Sequence, residues 1–184
     1  MFTTFRGGNI GAWQVTSVSP VKGESLPSAP CLSIIHAAAI ALPMIPSKTS
    51  WRLAGIASHV RYVERDEKTA LSTVQAALGR PQATQAALIP IRKSSTWWEL
   101  TQEERRQIFE DKSHHIAASL KYLPAIARQL YQCRDLGEPF DFLTWFEYAP
   151  EHAQSFEDLV GALRSTEEWT YVDREVDVRL VRSA

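Results

Sequence analysis

The pattern of hydrophobic and polar residues is clearest in the C-terminal half of the chain. Alternation, or a short apolar run bounded by turn residues, predicts four strands, at residues 86–92, 125–133, 140–148 and 169–181. A capping box of Thr101 and Glu104 begins a predicted helix over residues 101–122, and Pro150 opens a second helix. This order, strand-helix-strand-strand-helix-strand, is typical of a ferredoxin-like α+β unit (βαββαβ) with an antiparallel sheet.

The N-terminal half repeats part of this order less clearly. Strands are predicted at residues 2–5, 12–18 and 51–60, and a helix at residues 67–78 that Gly79 ends. Residues 19–50 are rich in Pro, Ser and Ala without a clear period, which predicts an irregular connection. We therefore expect a shortened, related N-terminal lobe (residues 1–80) and a C-terminal lobe (residues 81–184) that encloses a flat ligand between its sheet and its helices.

Two neighbouring histidines lie within the predicted 101–122 helix. On a helical wheel His115 lies beside the apolar line that contains Phe109, whereas His114 lies near Glu110 on a solvated face. His115 is therefore predicted to point inward and His114 outward. A lone inward histidine is more often a core residue than a ligand.

A single arginine lies in an apolar setting in the next predicted strand. Strand spacing places Arg128 on one face with Ile126 and Leu130. A guanidinium stays protonated, so on a buried face it needs a carboxylate or an anion. Pairing with a core glutamate is the simpler interpretation. An inward histidine just before this strand favours a site that holds an imidazole-liganded centre and an anion.

Composition and sequence motifs argue against several classes of function. With 20 basic and 21 acidic residues, the 184-residue chain has a net charge of -1, and nothing indicates a nucleic-acid partner. Its two cysteines form no CxxC or CxxCH motif, which fits a reducing, cytoplasmic location, and we expect no secretory signal. The apolar run at residues 29–46 is interrupted by prolines, so no membrane span is predicted. HExxH, GxSxG and phosphate-loop motifs are missing, which leaves a single axial histidine, a pattern typical of haem.

Two stretches carry a family resemblance. They are KSSTWWELTQEERRQIFEDKSHHIAASLKYLPAIARQLYQCRDLGEPFDFLTWFEYAPEHA and LRSTEEWTYVDREVDVRL, which together keep a specific spacing of histidine, arginine and TEEW. The chain resembles the chlorite dismutase family, in its short dimeric subgroup with a truncated N-terminal lobe. The resemblance runs from about Trp51 to the C-terminus and is dense from Lys93 onward.

The resemblance implies a homodimeric enzyme that binds haem b without covalent attachment. Its reaction would be the decomposition of chlorite to chloride and dioxygen through ferryl and hypochlorite intermediates. His115 would be the iron ligand. Arg128 would be the catalytic residue, which orients chlorite and keeps hypochlorite from escaping.

The resemblance also implies five supporting residues around the haem. Glu168 would accept a hydrogen bond from the ligand imidazole, with Lys93 in the same network. Gln75 would hydrogen-bond the catalytic arginine. Tyr62 and Trp97 would contact the haem edge.

Two alternatives from other functional classes stay open. One is another haem enzyme of the same superfamily, either peroxidase-like or similar to coproheme decarboxylases. Arg128 argues against coproheme decarboxylases, which lack this arginine, and the GxxDG motif of dye-decolourising peroxidases is missing. The other is a non-catalytic haem-binding or sensing protein.

Overall fold

The computed structural model describes residues 1–38, 49–58 and 62–183. Within these ranges the strands are β1 (Phe2–Gly8), β2 (Trp13–Lys22), β3 (Cys31–Ala37), β4 (Thr49–Ala57), β5 (Gln85–Lys93), β6 (Ala127–Gln132), β7 (Phe142–Tyr148) and β8 (Val172–Arg182). The α-helices are α1 (Arg65–Val74), α2 (Ser95–Glu99), α3 (Gln102–Arg106), α4 (His115–Leu120), α5 (Ala153–Arg164) and α6 (Glu167–Thr170). A π-helical segment spans Gln107–Lys112, and short 3-10 turns span Arg134–Leu136 and Pro150–His152.

The strands form one closed barrel in which all neighbours are antiparallel. The order around the barrel is β1, β3, β2, β8, β5, β7, β6, β4. Each half of the chain contributes four neighbouring strands in the same relative order: fourth, first, third, second. Strand β2 pairs with β8 along most of its length, whereas β4 meets β6 only through Ile56 with Gln132 and Ala57 with Tyr131. The predicted sheet-rich α+β class is confirmed, but the closure of both halves into one barrel was not foreseen.

Two apolar layers hold the barrel together. The barrel interior is filled mainly by large side chains, among them Phe5, Trp13, Trp51, Tyr131, Leu143 and Trp145. A second layer lies between the outer face of β5 and β7 and helix α5, and includes Ile89, Phe146, Phe156, Leu159 and Val160. Strand β5 is buried on both faces because it separates these layers. The helices cover the barrel on this outer face, and the candidate site lies beneath them. None of the helices in the described ranges is long and apolar enough to cross a bilayer.

The connection from β1 to β2 depends on a glycine. Both strands pair with β3 at Cys31 and Leu32, so residues 9–12 must cross over β3. A Cβ on Gly11 would lie 2.1 Å from the carbonyl oxygen of Leu32. Only a residue without a side chain allows so close an approach of two backbones.

Two strands occupy much of the region predicted to be irregular. Strand β2 extends to Lys22 and β3 spans Cys31–Ala37, so the prediction for residues 19–50 was wrong there. The alternation is hidden because Ile34 and Ile35 are consecutive, and Ile35 is 38% exposed. Residues 39–48 lie outside the described part of the chain, as do residues 59–61 at the end of the predicted 51–60 strand.

The single helix predicted over residues 101–122 was also wrong. Helix α3 passes into the π-helical segment, and the chain is interrupted at His114, whose φ of 49° is left-handed, before α4 begins. Glu110, predicted on a solvated face, is buried because its carboxylate accepts the backbone N–H groups of Ile116 (2.6 Å) and Ala117 (3.2 Å). These bonds satisfy the first turn of α4 and favour the break.

Several other boundaries differ from the prediction by a few residues, and two of them involve helices. Helix α1 ends at Val74, because the backbone of Gln75 is already extended, and not at Gly79. The strand predicted from residue 169 begins at Val172, since helix α6 occupies Glu167–Thr170.

Candidate active site

A cavity of about 330 Å³ lies between the outer face of β5, β6 and β7 and the helices α4, α5 and α6. Its apolar lining includes Ile89, Ile91, Leu130, Phe146, Leu159 and Leu163. Ionisable side chains also line it, including Lys93, His115, Arg128 and Glu168. An apolar cavity with a few convergent polar groups is the usual form of a ligand site.

His115 opens helix α4 and is held from one side of its ring. Its Nδ1 lies 2.7 Å from a carboxylate oxygen of Glu168, and a carboxylate only accepts, so Nδ1 carries the proton. The Phe109 ring stacks on the imidazole with ring centroids 4.3 Å apart. No described residue hydrogen-bonds Nε2, whose lone pair is therefore free to bind a metal. His114 is exposed, as predicted.

Glu168 is the centre of a buried charged network. Its carboxylate accepts a hydrogen bond from Lys93 Nζ at 2.7 Å as well as from His115, and its backbone N–H donates to Ser113 Oγ at 3.0 Å. Burial alone would raise the pKa of the Glu168 carboxyl, but the charges and hydrogen bonds of Lys93 and His115 outweigh burial and lower the pKa to about 2. The carboxylate is therefore ionised at neutral pH and orients the imidazole.

Arg128 reaches the cavity from strand β6. No carboxylate in the described ranges lies within ion-pair distance of it, and its buried Nε has no hydrogen-bond partner there. The simpler interpretation, pairing with a core glutamate, is thus not what the described residues show. Burial lowers the pKa of the Arg128 guanidinium, because the cation has lost water without gaining a counter-charge. An anion in the cavity would supply that charge.

The other three predicted residues lie at the same cavity. Trp97 is buried under the Lys93 ammonium, which lies 4.5 Å from its ring centroid, and its Nε1 has no partner among the described residues. Tyr62 has a left-handed backbone (φ 58°) and a buried hydroxyl that likewise lacks a described partner. Gln75 donates to the backbone carbonyl of Arg128 at 3.0 Å, not to its guanidinium.

The described residues form no metal site with several protein ligands. They contain no cluster of three or more His, Cys, Asp or Glu side chains that could hold a metal ion. A metal in this cavity would take His115 as its protein ligand, and its remaining coordination positions would be filled by groups other than protein side chains.

Comparison with known proteins places the chain in a family. The model of the chlorite dismutase family matches residues 46–183. The chain belongs to the chlorite dismutase family.

Individual chlorite dismutases are similar to it to different degrees. The crystal structure of dimeric chlorite dismutases from Nitrobacter winogradskyi is 69% identical, with a TM-score of 0.91 over 98% of this chain and 99% of that one. A mutant chlorite dismutase from Candidatus Nitrospira defluvii in complex with cyanide is 21% identical, with a TM-score of 0.76 over 100% of this chain and 90% of that one, which shows a shared fold. The curated chlorite dismutase of Ideonella dechloratans is 31% identical over 102 residues, which are 52% of this chain and only 33% of that protein.

Several residues of this candidate site were not predicted from the sequence. Phe109 stacks on His115, Ser113 accepts from Glu168, and Trp169 lines the cavity while its Nε1 donates to buried Glu175 at 2.7 Å. Phe109 had been placed on the apolar line beside His115, which was the only available signal. The contacts of Ser113 and Trp169 depend on the break before α4 and on α6, neither of which was predicted.

Proposed function

We propose that this protein is a haem-dependent enzyme that converts chlorite to chloride and dioxygen. One observation carries the proposal: His115, with a free Nε2, and Arg128, a cation without a described counter-charge, line the same largely apolar cavity. Family membership supports the same reaction.

The residues of the cavity fit a haem group. The proposed ligand is His115 Nε2, because Nδ1 is already held by Glu168. Apolar side chains suit the porphyrin faces, and the unpartnered hydroxyl of Tyr62 and Nε1 of Trp97 suit polar groups at its edge. Since the sequence lacks CxxCH, we propose non-covalent haem b.

When bound, haem would supply the redox chemistry, in which one chlorite ion yields one chloride ion and one dioxygen molecule. Glu168 keeps the Nδ1 proton of His115 in place and makes the imidazole a stronger donor. Lys93 neutralises the Glu168 carboxylate, which would otherwise be an isolated buried charge.

Arg128 is proposed to hold the anion. A guanidinium in a site that excludes water attracts an oxyanion more strongly than one at the surface. It would orient chlorite and retain hypochlorite until dioxygen has formed, while the apolar walls keep water away. A coproheme decarboxylase would have no use for this cation, which is why we do not favour that alternative.

The finer fold description and the assembly are part of this proposal. We infer two ferredoxin-like units, the first lacking a helix between β1 and β2, because both halves place their strands in the same relative order. A homodimer is proposed from the similarity to the dimeric chlorite dismutases of Nitrobacter winogradskyi. A cytoplasmic location is proposed because Cys31 and Cys133 are both free.

Oxygen release tests the function directly. Haem-loaded wild-type protein should produce dioxygen on addition of chlorite, measured with an oxygen electrode. Arg128→Ala should bind haem normally but complete fewer turnovers before the haem bleaches, because hypochlorite that is no longer retained attacks the porphyrin. A hypochlorite trap should capture more product from the variant.

Arg174→Ala is the matched control for an arginine loss. Arg174 donates to backbone carbonyls of Glu24 and Ser25 away from the cavity. This variant should evolve oxygen as the wild type does. An intact Soret band without oxygen release would refute the function, and equal hypochlorite capture from wild type and Arg128→Ala would refute the role of Arg128.

A further inference from the structure

Arg128 lies just beyond the described pairing between β4 and β6. Strand β4 ends at Ala57, and the last backbone bond across this seam runs from Ser58 N–H to Leu130 O at 2.9 Å. At Arg128, two residues earlier, no described strand covers this edge of β6. Its carbonyl instead accepts the side-chain amide of Gln75.

Residues 75–80, which follow helix α1, lie along this edge of β6 and the chain that leads into it. Besides the Gln75 bond, Ala76 N–H donates to Leu123 O at 3.3 Å and an Arg80 guanidinium nitrogen donates to Ala125 O at 2.7 Å. Three bonds therefore join this segment to residues 123–128, the part of the chain that leads into β6 and ends at Arg128.

A buried carboxylate anchors the same segment to the neighbouring strand. Glu147 on β7 accepts the backbone N–H of Gly79 at 2.6 Å and the indole N–H of Trp145 at 3.0 Å. Gly79 has a left-handed φ of 79°, which glycine adopts without strain. A charged acceptor makes this bond stronger than one between neutral groups.

We propose that Arg80 and Glu147 are positioning residues for Arg128. They hold residues 75–80 against this edge of β6 and so fix the backbone from which the Arg128 side chain extends. This matters because no described side chain pairs with the guanidinium, so its place in the cavity is set by its own backbone and rotamer. The inference rests on the proposed function only in that Arg128 serves to hold the substrate anion.

Hydrogen exchange of the haem-free protein tests the positioning without any activity. Arg80→Ala should raise the exchange rates of the Ala76 and Gly79 amides and of residues 127–129 by about tenfold, since local opening limits exchange there. Glu147→Gln should act in the same direction. The amide oxygen of glutamine can accept only one of the two hydrogen bonds, and its NH2 group cannot accept the other. The matched control Arg174→Ala, which loses comparable bonds to carbonyls elsewhere, should leave these amides unchanged.

A double-mutant cycle tests whether Arg80 acts through Arg128. In haem-loaded protein, Arg80→Ala should lower the number of turnovers before bleaching roughly three- to tenfold, because small displacements of a positioned group reduce turnover strongly. In an Arg128→Ala background the same change should have no further effect. Arg80→Lys, which keeps a cationic donor for Ala125 O, should recover much of the loss.

The outcomes separate this inference from the proposed function. Unchanged exchange at residues 127–129 in Arg80→Ala, or an equal loss of turnover with and without Arg128, would overturn the positioning role. Failure of the wild-type holoprotein to release oxygen would refute the function, while the exchange of the haem-free protein would still decide the positioning.

Discussion

At the scale of single residues, the proposed iron ligand His115 gives the most direct test. His115→Ala should weaken haem binding and shift the Soret band, because it removes the nitrogen that Glu168 leaves free. His114→Ala should do neither, because His114 is exposed. Haem titration followed by absorbance checks both variants. Loss of haem from His114→Ala with normal binding by His115→Ala would identify His114 as the ligand and refute the proposed role of His115.

Glu168 contributes a pH-dependent part of the stability. Its folded-state pKa of about 2 lies below the ordinary value of 4.5, so ionisation favours the folded protein. This contribution is fully present above pH 4.5 and is lost as the pH falls toward 2. It is on the order of 3 kcal/mol, because one pKa unit corresponds to about 1.4 kcal/mol. Urea unfolding of the haem-free protein should therefore show Glu168→Gln less stable than wild type at pH 7, with the difference shrinking through that window.

The neighbouring glutamate provides the control for this pH effect. Glu167 forms an exposed ion pair with Lys112 at 3.0 Å. Exposed pairs contribute little, so Glu167→Gln should change the free energy of unfolding by less than about 1 kcal/mol at any pH. A stability difference for Glu168→Gln that stays constant between pH 4.5 and 2 would contradict the account of its charge.

At the scale of elements, helix α4 depends on contacts from outside itself. It has six residues, and a helix this short is stable only through tertiary contacts. Glu110→Gln leaves one of the N–H groups of Ile116 and Ala117 facing an amide NH2, which cannot accept a hydrogen bond; this loss should cost about 1–2 kcal/mol and weaken haem binding through His115. Urea unfolding and haem titration measure the two effects. Glu103→Gln, at an exposed position of α3, should change neither, and equal losses in both variants would argue against the capping role.

The same element shows what sequence periodicity can and cannot predict. The inward His115 and the cavity-facing Arg128 followed from local spacing, because each lies beside apolar neighbours on its own element. The π-helical segment and the left-handed His114 could not be predicted, since they depend on a buried glutamate that bonds six residues ahead in the chain. The helical wheel gave the right orientation of both histidines although the helix it assumed is interrupted.

Long-range pairing explains the remaining differences. Strand β3 was missed because its period is masked by an exposed isoleucine. Its place is set by pairing with β1, which lies about thirty residues earlier. Similarly, the position of residues 75–80 beside β6 depends on contacts between distant segments. The cavity was foreseen as a space between sheet and helices, but the barrel that supports it required the pairing of both halves.

At the scale of the whole molecule, closure of the barrel makes the two halves interdependent. The crossing of residues 9–12 over β3 brings two backbone segments into close contact. A methyl group on Gly11 would lie 2.1 Å from Leu32 O and 2.3 Å from its carbonyl carbon. These are backbone atoms of a paired strand, which cannot move aside as a flexible side chain can.

Gly11→Ala should therefore destabilise the entire protein by roughly 2 kcal/mol or more, the usual range for strain forced into a packed site. Gly161→Ala is the matched control: it lies in helix α5 with nothing within 4 Å of the added methyl group, and should stabilise by about 0.5–1 kcal/mol. Urea unfolding of the haem-free protein should show a lower midpoint for Gly11→Ala with an unchanged slope, because the same surface is exposed. Since β1, β2 and β3 belong to the same barrel as β6, the loss should be recorded equally by probes in both halves. A wild-type midpoint for Gly11→Ala would show that the crossing has room for a side chain, and a loss confined to the N-terminal strands would show that the halves unfold independently.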